Sequence, residues 1–189
     1  DGDGRADVCI RAAAGFRCKL ATGAGFGTQV EGADPANPYF DNADGWGTRN
    51  KYATLRMGDL NGDGKADICG RSASAFHCFR SNGSVFTSGS STPTDLSDGA
   101  GWTAEKYYST IRLADITGDG KDDLCVRYAT GWGCRASTGT GFGSVLSGPT
   151  LSDGSGWGYP EHYGTIRMGD LDGDGKQDLC ARGNAGMFC

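Results

Sequence analysis

Eight cysteines fall into four couples, and the two members of every couple are nine positions apart. The couples are Cys9/Cys18, Cys69/Cys78, Cys125/Cys134 and Cys180/Cys189. An even number of cysteines at a fixed spacing is typical of a disulfide framework formed in an oxidising compartment. The repeated local spacing makes four short-range bridges the simplest pairing. We therefore predict four local disulfides and a secreted, extracellular protein.

Zinc coordination is the rival interpretation of the cysteines. Structural zinc sites usually combine closely spaced cysteines or histidines. CxxC couples are absent, and the two histidines, His77 and His162, do not recur with the cysteines. The sequence therefore favours disulfides over zinc.

The cysteine couples also mark an internal repeat. Their first members are 60, 56 and 55 residues apart, and the rest of the chain aligns when they are superposed. We describe residues 1–189 as a single repeat domain with two partial segments, 1–58 and 170–189, and two complete ones, 59–114 and 115–169. The sequence opens inside a motif, so we expect that its beginning was cleaved or not included.

Each repeat predicts four short strands. Segment 52–59, YATLRMGD, alternates apolar and polar residues as a half-buried strand does, and the two cysteine-bearing segments follow it. A fourth apolar segment occurs at 23–30, 83–90 and 139–146. Four strands in repeats of 55–60 residues indicate an all-β fold with β-propeller-type four-stranded blades, about three and a half of them in fourteen strands. An insertion at 31–42 predicts an extended surface loop.

An acidic loop recurs before the first cysteine of each couple. In DLNGDGKAD (59–67), side-chain oxygens occupy positions one, three, five and nine, and a backbone carbonyl is available at position seven. Hard oxygen donors on a flexible loop favour Ca²⁺. We therefore predict a calcium site made by Asp59, Asn61, Asp63, the Lys65 carbonyl and Asp67.

Equivalent donors occur in the other repeats. They are Asp115, Thr117, Asp119, Lys121 and Asp123 in one loop, Asp170, Asp172, Asp174, Lys176 and Asp178 in the next, and Asp1, Asp3 and Asp7 in a truncated one. The Asp170 loop carries the most negative charge, so we expect it to bind tightest. Thr117 supplies no carboxylate or amide, which predicts weaker binding or a bridging water. None of the loops has the position-twelve glutamate of an EF-hand.

A catalytic carboxylate pair and a phosphate-binding glycine loop are two alternative interpretations that the sequence supports less well than calcium binding. A catalytic carboxylate pair occurs once in an enzyme, whereas this cluster recurs. The GAGFG and GTGFG stretches have the glycines of a phosphate loop but lack the following helix and lysine. No Ser-His-Asp, Cys-His or zinc-protease pattern is visible, and we expect no intrinsic enzyme activity.

The DxNGDGxxD loop after a strand, with a later GFG segment, resembles the FG-GAP or VCBS repeat. Such repeats build the propellers of integrin α-subunits and of a fungal seven-bladed lectin. The resemblance covers essentially the whole chain, although the second repeat has VFT in place of GFG and the cysteine couples belong to a subset of such repeats. It implies calcium-bound blades outside the cell that serve adhesion or recognise a carbohydrate or an extracellular protein.

The connectors between repeats contain tryptophans in Asp- and Gly-rich surroundings. Trp46, Trp102 and Trp157 each precede a tyrosine by six residues. Aromatic rings beside carboxylates suit sugars, but recurrence in every repeat favours packing between blades. For a sugar site, we predict Asp98, Trp102, Asp153 and Trp157.

Three further features recur or suggest modification. A large apolar residue at the position of Phe16, Phe76, Trp132 and Met187 predicts core. Arginines recur in two sets, Arg56/Arg112/Arg167 and Arg11/Arg71/Arg127/Arg182; they either pair with carboxylates and carbonyls or form a solvated face. Asn82 begins an N-glycosylation sequon on a predicted turn, which matters in a eukaryotic source.

The charge and the hydropathy of the sequence argue against two kinds of interaction, with nucleic acid and across a membrane. The formal net charge is −5 and there is no basic tract, so nucleic acid is an unexpected partner. No apolar stretch is long enough to span a membrane. Our first hypothesis is a secreted, calcium-stabilised propeller module that binds ligands, carbohydrate first. The alternatives are a structural protein whose open blade ends self-associate into a ring or filament, and an accessory domain of a secreted hydrolase.

Overall fold

The computed structural model describes residues 1–32, 40–87, 89–90 and 92–189. The described part is all-β apart from short helical turns, and its fourteen strands confirm the predicted number. The strands are β1 Val8–Ala12, β2 Gly15–Thr22, β3 Gly25–Gly32, β4 Arg56–Gly58, β5 Asp67–Arg71, β6 Phe76–Ser81, β7 Val85–Thr87, β8 Arg112–Ala114, β9 Asp123–Tyr128, β10 Gly131–Ser137, β11 Phe142–Ser147, β12 Arg167–Gly169, β13 Asp178–Gly183 and β14 Gly186–Phe188.

The strands form four consecutive antiparallel units. Unit 1 is β1–β3, unit 2 is β4–β7, unit 3 is β8–β11 and unit 4 is β12–β14. A short parallel pairing of β3 with β7 joins units 1 and 2 into one seven-stranded sheet. The expectation of antiparallel units with up to four strands is confirmed. The sheets do not close on one another within the described ranges, so a complete propeller stays a prediction.

The predicted disulfides are present in all four units. Cys9 lies directly opposite Cys18 in the β1–β2 hairpin, and Cys69 lies opposite Cys78 in the β5–β6 hairpin. Sulfur–sulfur bonds join these couples and the two later ones, Cys125–Cys134 and Cys180–Cys189. The first three bridges therefore tie two neighbouring strands of one unit, and the fourth ties β13 to the residue directly after β14, as the nine-residue spacing indicated.

The hydrophobic core is divided among the three junctions between units. Each junction combines apolar side chains of two consecutive units with the tryptophan of the connector between them: Trp46, Trp102 and Trp157 in chain order. Packing of the tryptophans between units is thereby confirmed. The core prediction holds for Phe16, Phe76 and Trp132, which are buried, and is wrong for Met187, which is exposed. The core that covers the equivalent positions of units 2 and 3 is built with residues of the next unit, and the described part of residues 1–189 contains no fifth unit.

The prediction of a continuous strand at 52–59 is wrong in its first half. A helical turn ends at Tyr52 and the strand covers only Arg56–Gly58. The three turns are α1 Arg49–Tyr52, α2 Glu105–Tyr108 and α3 Pro160–Tyr163, and a further turn lies at Asp153–Trp157. Each is a single turn or little more, far shorter than a membrane-spanning helix. The predicted loop at 31–42 lies largely outside the described residues.

A buried threonine explains why the chain turns there. Thr54 Oγ1 donates to the Lys51 carbonyl at 2.6 Å and accepts from the Arg71 N–H at 2.8 Å. Thr110 makes the same pair of bonds, to the Tyr107 carbonyl and from the Arg127 N–H. This hydroxyl closes the helical turn and links it to the second strand of its unit, which competes with an extended backbone.

Candidate functional site

The first aspartate of each acidic loop organises the loop backbone. Asp59 Oδ1 accepts from the N–H groups of Asn61, Gly62 and Asp63, and its Oδ2 accepts from Gly64 at 2.7 Å. Gly62 and Gly64 have φ values of 76° and 80°, which glycine adopts without steric cost. Asp115 and Asp170 bind their own loops in the same way.

The position-nine aspartate ties the loop to the hairpin. Asp67 is buried and accepts from the Leu60 N–H at 3.0 Å and the Ser81 N–H at 2.7 Å. Burial raises the pKa of Asp67 to about 6, although these two hydrogen bonds oppose the shift. Asp123 has equivalent partners, and burial raises its pKa as well. Asp7 accepts from the Ala21 N–H at 2.8 Å.

The carboxylates converge most closely in the Asp170 loop. One oxygen each of Asp170, Asp172 and Asp174 lies within 4.8 Å of the others, the only such group of His, Cys, Asp or Glu side chains that the described ranges contain. Three exposed carboxylates at this separation are a donor set that suits a hard divalent cation. Three of the five donors predicted for this loop therefore suit such a cation, and calcium itself stays a prediction.

The two other complete loops have more internal contacts. Asn61 Nδ2 donates to Asp63 at 3.2 Å in the Asp59 loop. Asp119 forms an ion pair with Lys121 at 2.7 Å in the Asp115 loop, and Thr117 Oγ1 donates to Asp115 at 3.3 Å. The equivalent pair in the Asp170 loop, Lys176–Asp174, is longer at 3.6 Å, so a cation would displace a closer ion pair in the Asp115 loop than in the Asp170 loop.

Asp122 is a site residue that the sequence did not reveal. Its carboxylate accepts from the Asp59 N–H at 2.8 Å, and its own N–H donates to the Asp59 carbonyl at 2.6 Å. These bonds join the acidic loops of units 2 and 3. The corresponding positions carry Ala66 and Gln177, so the repeat alignment contains no signal for this role.

Asp98 and Asp153, which were predicted to bind sugar, compensate buried arginines. Asp98 accepts from Lys51 at 2.5 Å and from the fully buried Arg71 at 2.7 Å. Asp153 accepts from the fully buried Arg127 at 2.8 Å and from two side chains of α2, Lys106 and Tyr107. For Arg71 and Arg127, the prediction that the recurrent arginines pair with carboxylates and carbonyls is confirmed.

The pKa of Asp153 reflects these contacts. Burial raises it, but the hydrogen bonds from Lys106, Tyr107 and Arg127 outweigh burial and lower the pKa to about 2. The pKa of Asp98 is lowered as well, since Lys51 and Arg71 together outweigh its burial. Both carboxylates are therefore held in the charged form.

The predicted sugar-stacking rings are largely covered. Trp102 is 4% exposed and Trp157 is 9% exposed, and both belong to junction cores. Such burial leaves little ring face for a sugar and favours the packing alternative. Sugar contact by Asp98, Trp102, Asp153 and Trp157 stays a prediction that these positions support poorly.

An aromatic groove lies beside the Trp102 junction. It has a volume of about 300 Å³ and is lined by Asp95, Trp102, Tyr107, Tyr128 and Thr130, among others. The Trp102 ring lies 5.9 Å from Tyr107 and 5.6 Å from Tyr128, measured between ring centroids. Asp95 pairs with Arg135 at 2.7 Å. The groove thus combines two partly exposed tyrosines with a carboxylate and a hydroxyl.

Asn82 occupies an exposed turn before β7, as predicted. Its side-chain oxygen accepts from the Ser84 and Val85 N–H groups at 2.9 Å each. The turn leaves the residue accessible; glycosylation itself stays a prediction.

Comparison with known proteins supports the repeat assignment. Residues 59–126 match the FG-GAP-like repeat family model. No curated protein matches the chain.

Two solved structures have a similar fold. The first is an Agrocybe aegerita lectin described for its specific recognition of non-reducing terminal N-acetylglucosamine. It has 25% identity and a TM-score of 0.79, and the match covers 98% of this chain and 45% of the lectin. The second is the Photorhabdus luminescens Tc holotoxin pore, with 18% identity, a TM-score of 0.59, and coverage of 96% of this chain and 8% of that one. The chain therefore spans less than half the length of the lectin whose fold it shares.

Proposed function

We propose that this chain is an extracellular carbohydrate-recognition module built from β-propeller blades. The observation that carries the proposal is its likeness to the N-acetylglucosamine-recognising lectin over 98% of its length. Four disulfides suit an oxidising, extracellular setting. The function is binding rather than catalysis, with a terminal N-acetylhexosamine as the first ligand to test.

The aromatic groove beside Trp102 is the proposed sugar site. Tyr107 and Tyr128 offer ring surface for the apolar face of a pyranose, and Asp95 offers a carboxylate for its hydroxyls. A groove of about 300 Å³ is large enough for one sugar residue. This assignment moves the site from the tryptophans that we predicted to their partly exposed tyrosine neighbours.

A glycan array followed by calorimetry tests the proposal. We expect binding to glycans that end in N-acetylglucosamine, and roughly tenfold weaker binding after Tyr128→Ala because one stacking surface is lost. Tyr159→Ala is the matched control, since Tyr159 is exposed and outside the groove. Absence of binding to every glycan at millimolar sugar would overturn the function. Binding that survives Tyr128→Ala would instead move the site.

We also propose that calcium stabilises the module, first through the Asp170 loop. Asp170, Asp172 and Asp174 would hold the ion, which would supply positive charge and pin the turn before β13. Calcium should raise the Tm, and Asp172→Asn should reduce that rise. Asp44→Asn changes an exposed aspartate outside the acidic loops and should leave it intact. A Tm that is equal in calcium and in chelator would contradict this role.

A second candidate function is assembly, and the exposed apolar side chains of unit 4 favour it. Leu171, Met187 and Phe188 are exposed. The equivalents of Leu171 and Met187 in units 2 and 3 belong to, or pack against, the core shared with the next unit. A second copy of the chain could supply that cover. Light scattering would then report a mass above 19.6 kDa, and Met187→Glu should lower it. A strict monomer at high concentration would count against assembly.

A further inference from the structure

Three arginines from equivalent repeat positions line one cavity. Arg56, Arg112 and Arg167 begin β4, β8 and β12, and each pairs in register with the first cysteine of its unit. They share a cavity of about 620 Å³ whose other lining residues include Glu105, Ser109 and Tyr163. Three guanidinium groups thus meet where the first strands of units 2, 3 and 4 lie next to one another.

Backbone carbonyls hold these arginines in place. Arg56 Nε donates to the Ile111 carbonyl of the next unit at 2.7 Å, and Arg112 Nη2 donates to the Ile166 carbonyl at 2.9 Å. Arg167 donates through Nη1 alone, to the Gly164 and Ile166 carbonyls. Arg56 Nη2, Arg112 Nε and both Nε and Nη2 of Arg167 make no hydrogen bond with the described residues. The cluster is therefore fixed in position and retains donors for a further acceptor.

The positive charge of the cluster has no carboxylate partner in the part of the chain that the structure describes. None of the three guanidinium groups forms an ion pair within the described ranges, whereas Arg71 and Arg127 of the other recurrent set are matched by Asp98 and Asp153. Glu105, the carboxylate that lines the cavity, is engaged by Arg49 at 2.8 Å. Carboxylates therefore compensate Arg71 and Arg127, whereas Arg56, Arg112 and Arg167 have no such partner among the described residues.

Electrostatics within the cavity support the same conclusion. Burial, followed by the charges of Arg56 and Arg167, lowers the pKa of Arg112 to about 10. The group remains protonated at neutral pH and is repelled by its neighbours. An anion placed among the three groups would relieve that repulsion.

The geometry points to an oxoanion site formed by Arg56, Arg112 and Arg167, with a phosphate or sulfate group as its ligand. Planar guanidinium groups match the oxygens of such anions through paired hydrogen bonds. The group would come from a free inorganic anion or from an ester on a sugar. The inference is independent of the groove beside Trp102 and of the proposed carbohydrate function.

Inorganic phosphate is the probe for the site itself. Calorimetry and thermal unfolding are measured at about 10 mM phosphate against chloride at equal ionic strength, so that general screening is matched. We expect saturable binding and a higher Tm in phosphate. Sulfate and N-acetylglucosamine 6-sulfate form two further arms, with unsulfated N-acetylglucosamine as reference. Tighter binding of the sulfated sugar than of inorganic sulfate would identify the ester as the source; equal binding would identify the free anion.

Arg167→Gln is the decisive variant because Arg167 is exposed and, among the described residues, bonds only to carbonyls next to its own strand. Phosphate affinity should fall roughly tenfold. Arg182→Gln removes the same charge from an exposed position in unit 4 outside the cavity, and should leave the affinity unchanged within about twofold. Equal losses in both variants, or no saturable binding by the wild type, would overturn the inference.

Glu105→Gln gives a test that does not depend on removing an arginine. It deletes the carboxylate at the cavity wall, and we expect phosphate to bind about twofold to fivefold more tightly. Unchanged or weaker binding in this variant would contradict an anion located in the cavity.

Discussion

Units 3 and 4 have nearly the same sequence pattern and very different surroundings. Trp132 of unit 3 lies opposite Arg127, and Met187 of unit 4 lies opposite Arg182, so the two positions are equivalent. Trp132 is 5% exposed and Met187 is 76% exposed. The arginines differ in the same way: Arg127 is fully buried and paired with Asp153, whereas Arg182 is exposed and makes no ion pair within the described ranges.

The difference shows that a repeat unit does not complete its own core. Each junction core combines the hairpin of one unit with the connector and the second strand of the next. A unit followed by another therefore buries its apolar face, and unit 4 retains an open one. Stability should accordingly depend on junctions more than on individual sheets.

The largest expected effect on the free energy of unfolding is the difference between substitutions at Trp132 and at its equivalent, Met187. Trp132→Ala should lower the free energy of unfolding by about 3–5 kcal/mol, because it removes a large side chain from the junction of units 3 and 4. Met187→Ala should change it by no more than about 0.5 kcal/mol. Guanidinium unfolding of both variants and the wild type measures the two changes.

The outcome for Met187 also discriminates between open and covered states. A loss well above about 1 kcal/mol in Met187→Ala would show that unit 4 is covered in solution, as assembly requires. Repeating the unfolding at several protein concentrations would then reveal a concentration-dependent midpoint. Equal small losses in both variants would refute the importance of the junctions.

The sequence predicted much of the fold because its signals are local. Cysteine spacing gave the hairpins, and apolar alternation gave the number of strands. The helical turn at Arg49–Tyr52 was missed, since Ala53, Leu55 and Met57 alternate with polar residues as they would in a strand. The exposure of Met187 was missed because burial there depends on a neighbouring unit, which no local pattern encodes.

The functional residues were harder to predict for the same reason. The convergence of Asp170, Asp172 and Asp174 follows from their spacing within one loop. Asp122, by contrast, acts across two units, and its repeat position varies. The shared cavity of Arg56, Arg112 and Arg167 likewise required the relative placement of three units.

The disulfides offer a second comparison, with a matched loop length. Cys69–Cys78 and Cys180–Cys189 both close a separation of nine residues, so the loss of loop-closure entropy is equal. Replacing either couple with alanines should cost about 2–3 kcal/mol from this term. The unit 2 couple is buried in a junction core and the unit 4 couple is not, so the unit 2 variant should lose more. A larger loss in unit 4 would contradict the role assigned to the junctions.

The smallest expected effect concerns Asp153, the carboxylate that pairs with the buried Arg127 of unit 3. The pKa of Asp153 falls from an ordinary 3.8 to about 2 in the folded protein. A carboxyl group with a lowered folded pKa contributes stability above its unfolded pKa and loses it as the pH falls through the folded value. Asp153 is 29% exposed, so after allowance for solvent screening we expect it to contribute about 1–2 kcal/mol to the free energy of unfolding. This contribution is present above pH 4 and lost between about pH 4 and pH 2.

The free energies of unfolding of the wild type and of Asp153→Asn should therefore differ most near neutral pH and converge towards pH 2. Asp44→Asn is the control, at an exposed aspartate for which the described residues show no ion pair, and it should follow the wild type throughout. A difference between the wild type and Asp153→Asn that stayed constant from pH 7 to pH 2 would mean that Asp153 stabilises unit 3 through its shape and hydrogen bonds, and that the charge matched to Arg127 is not what distinguishes this unit from unit 4.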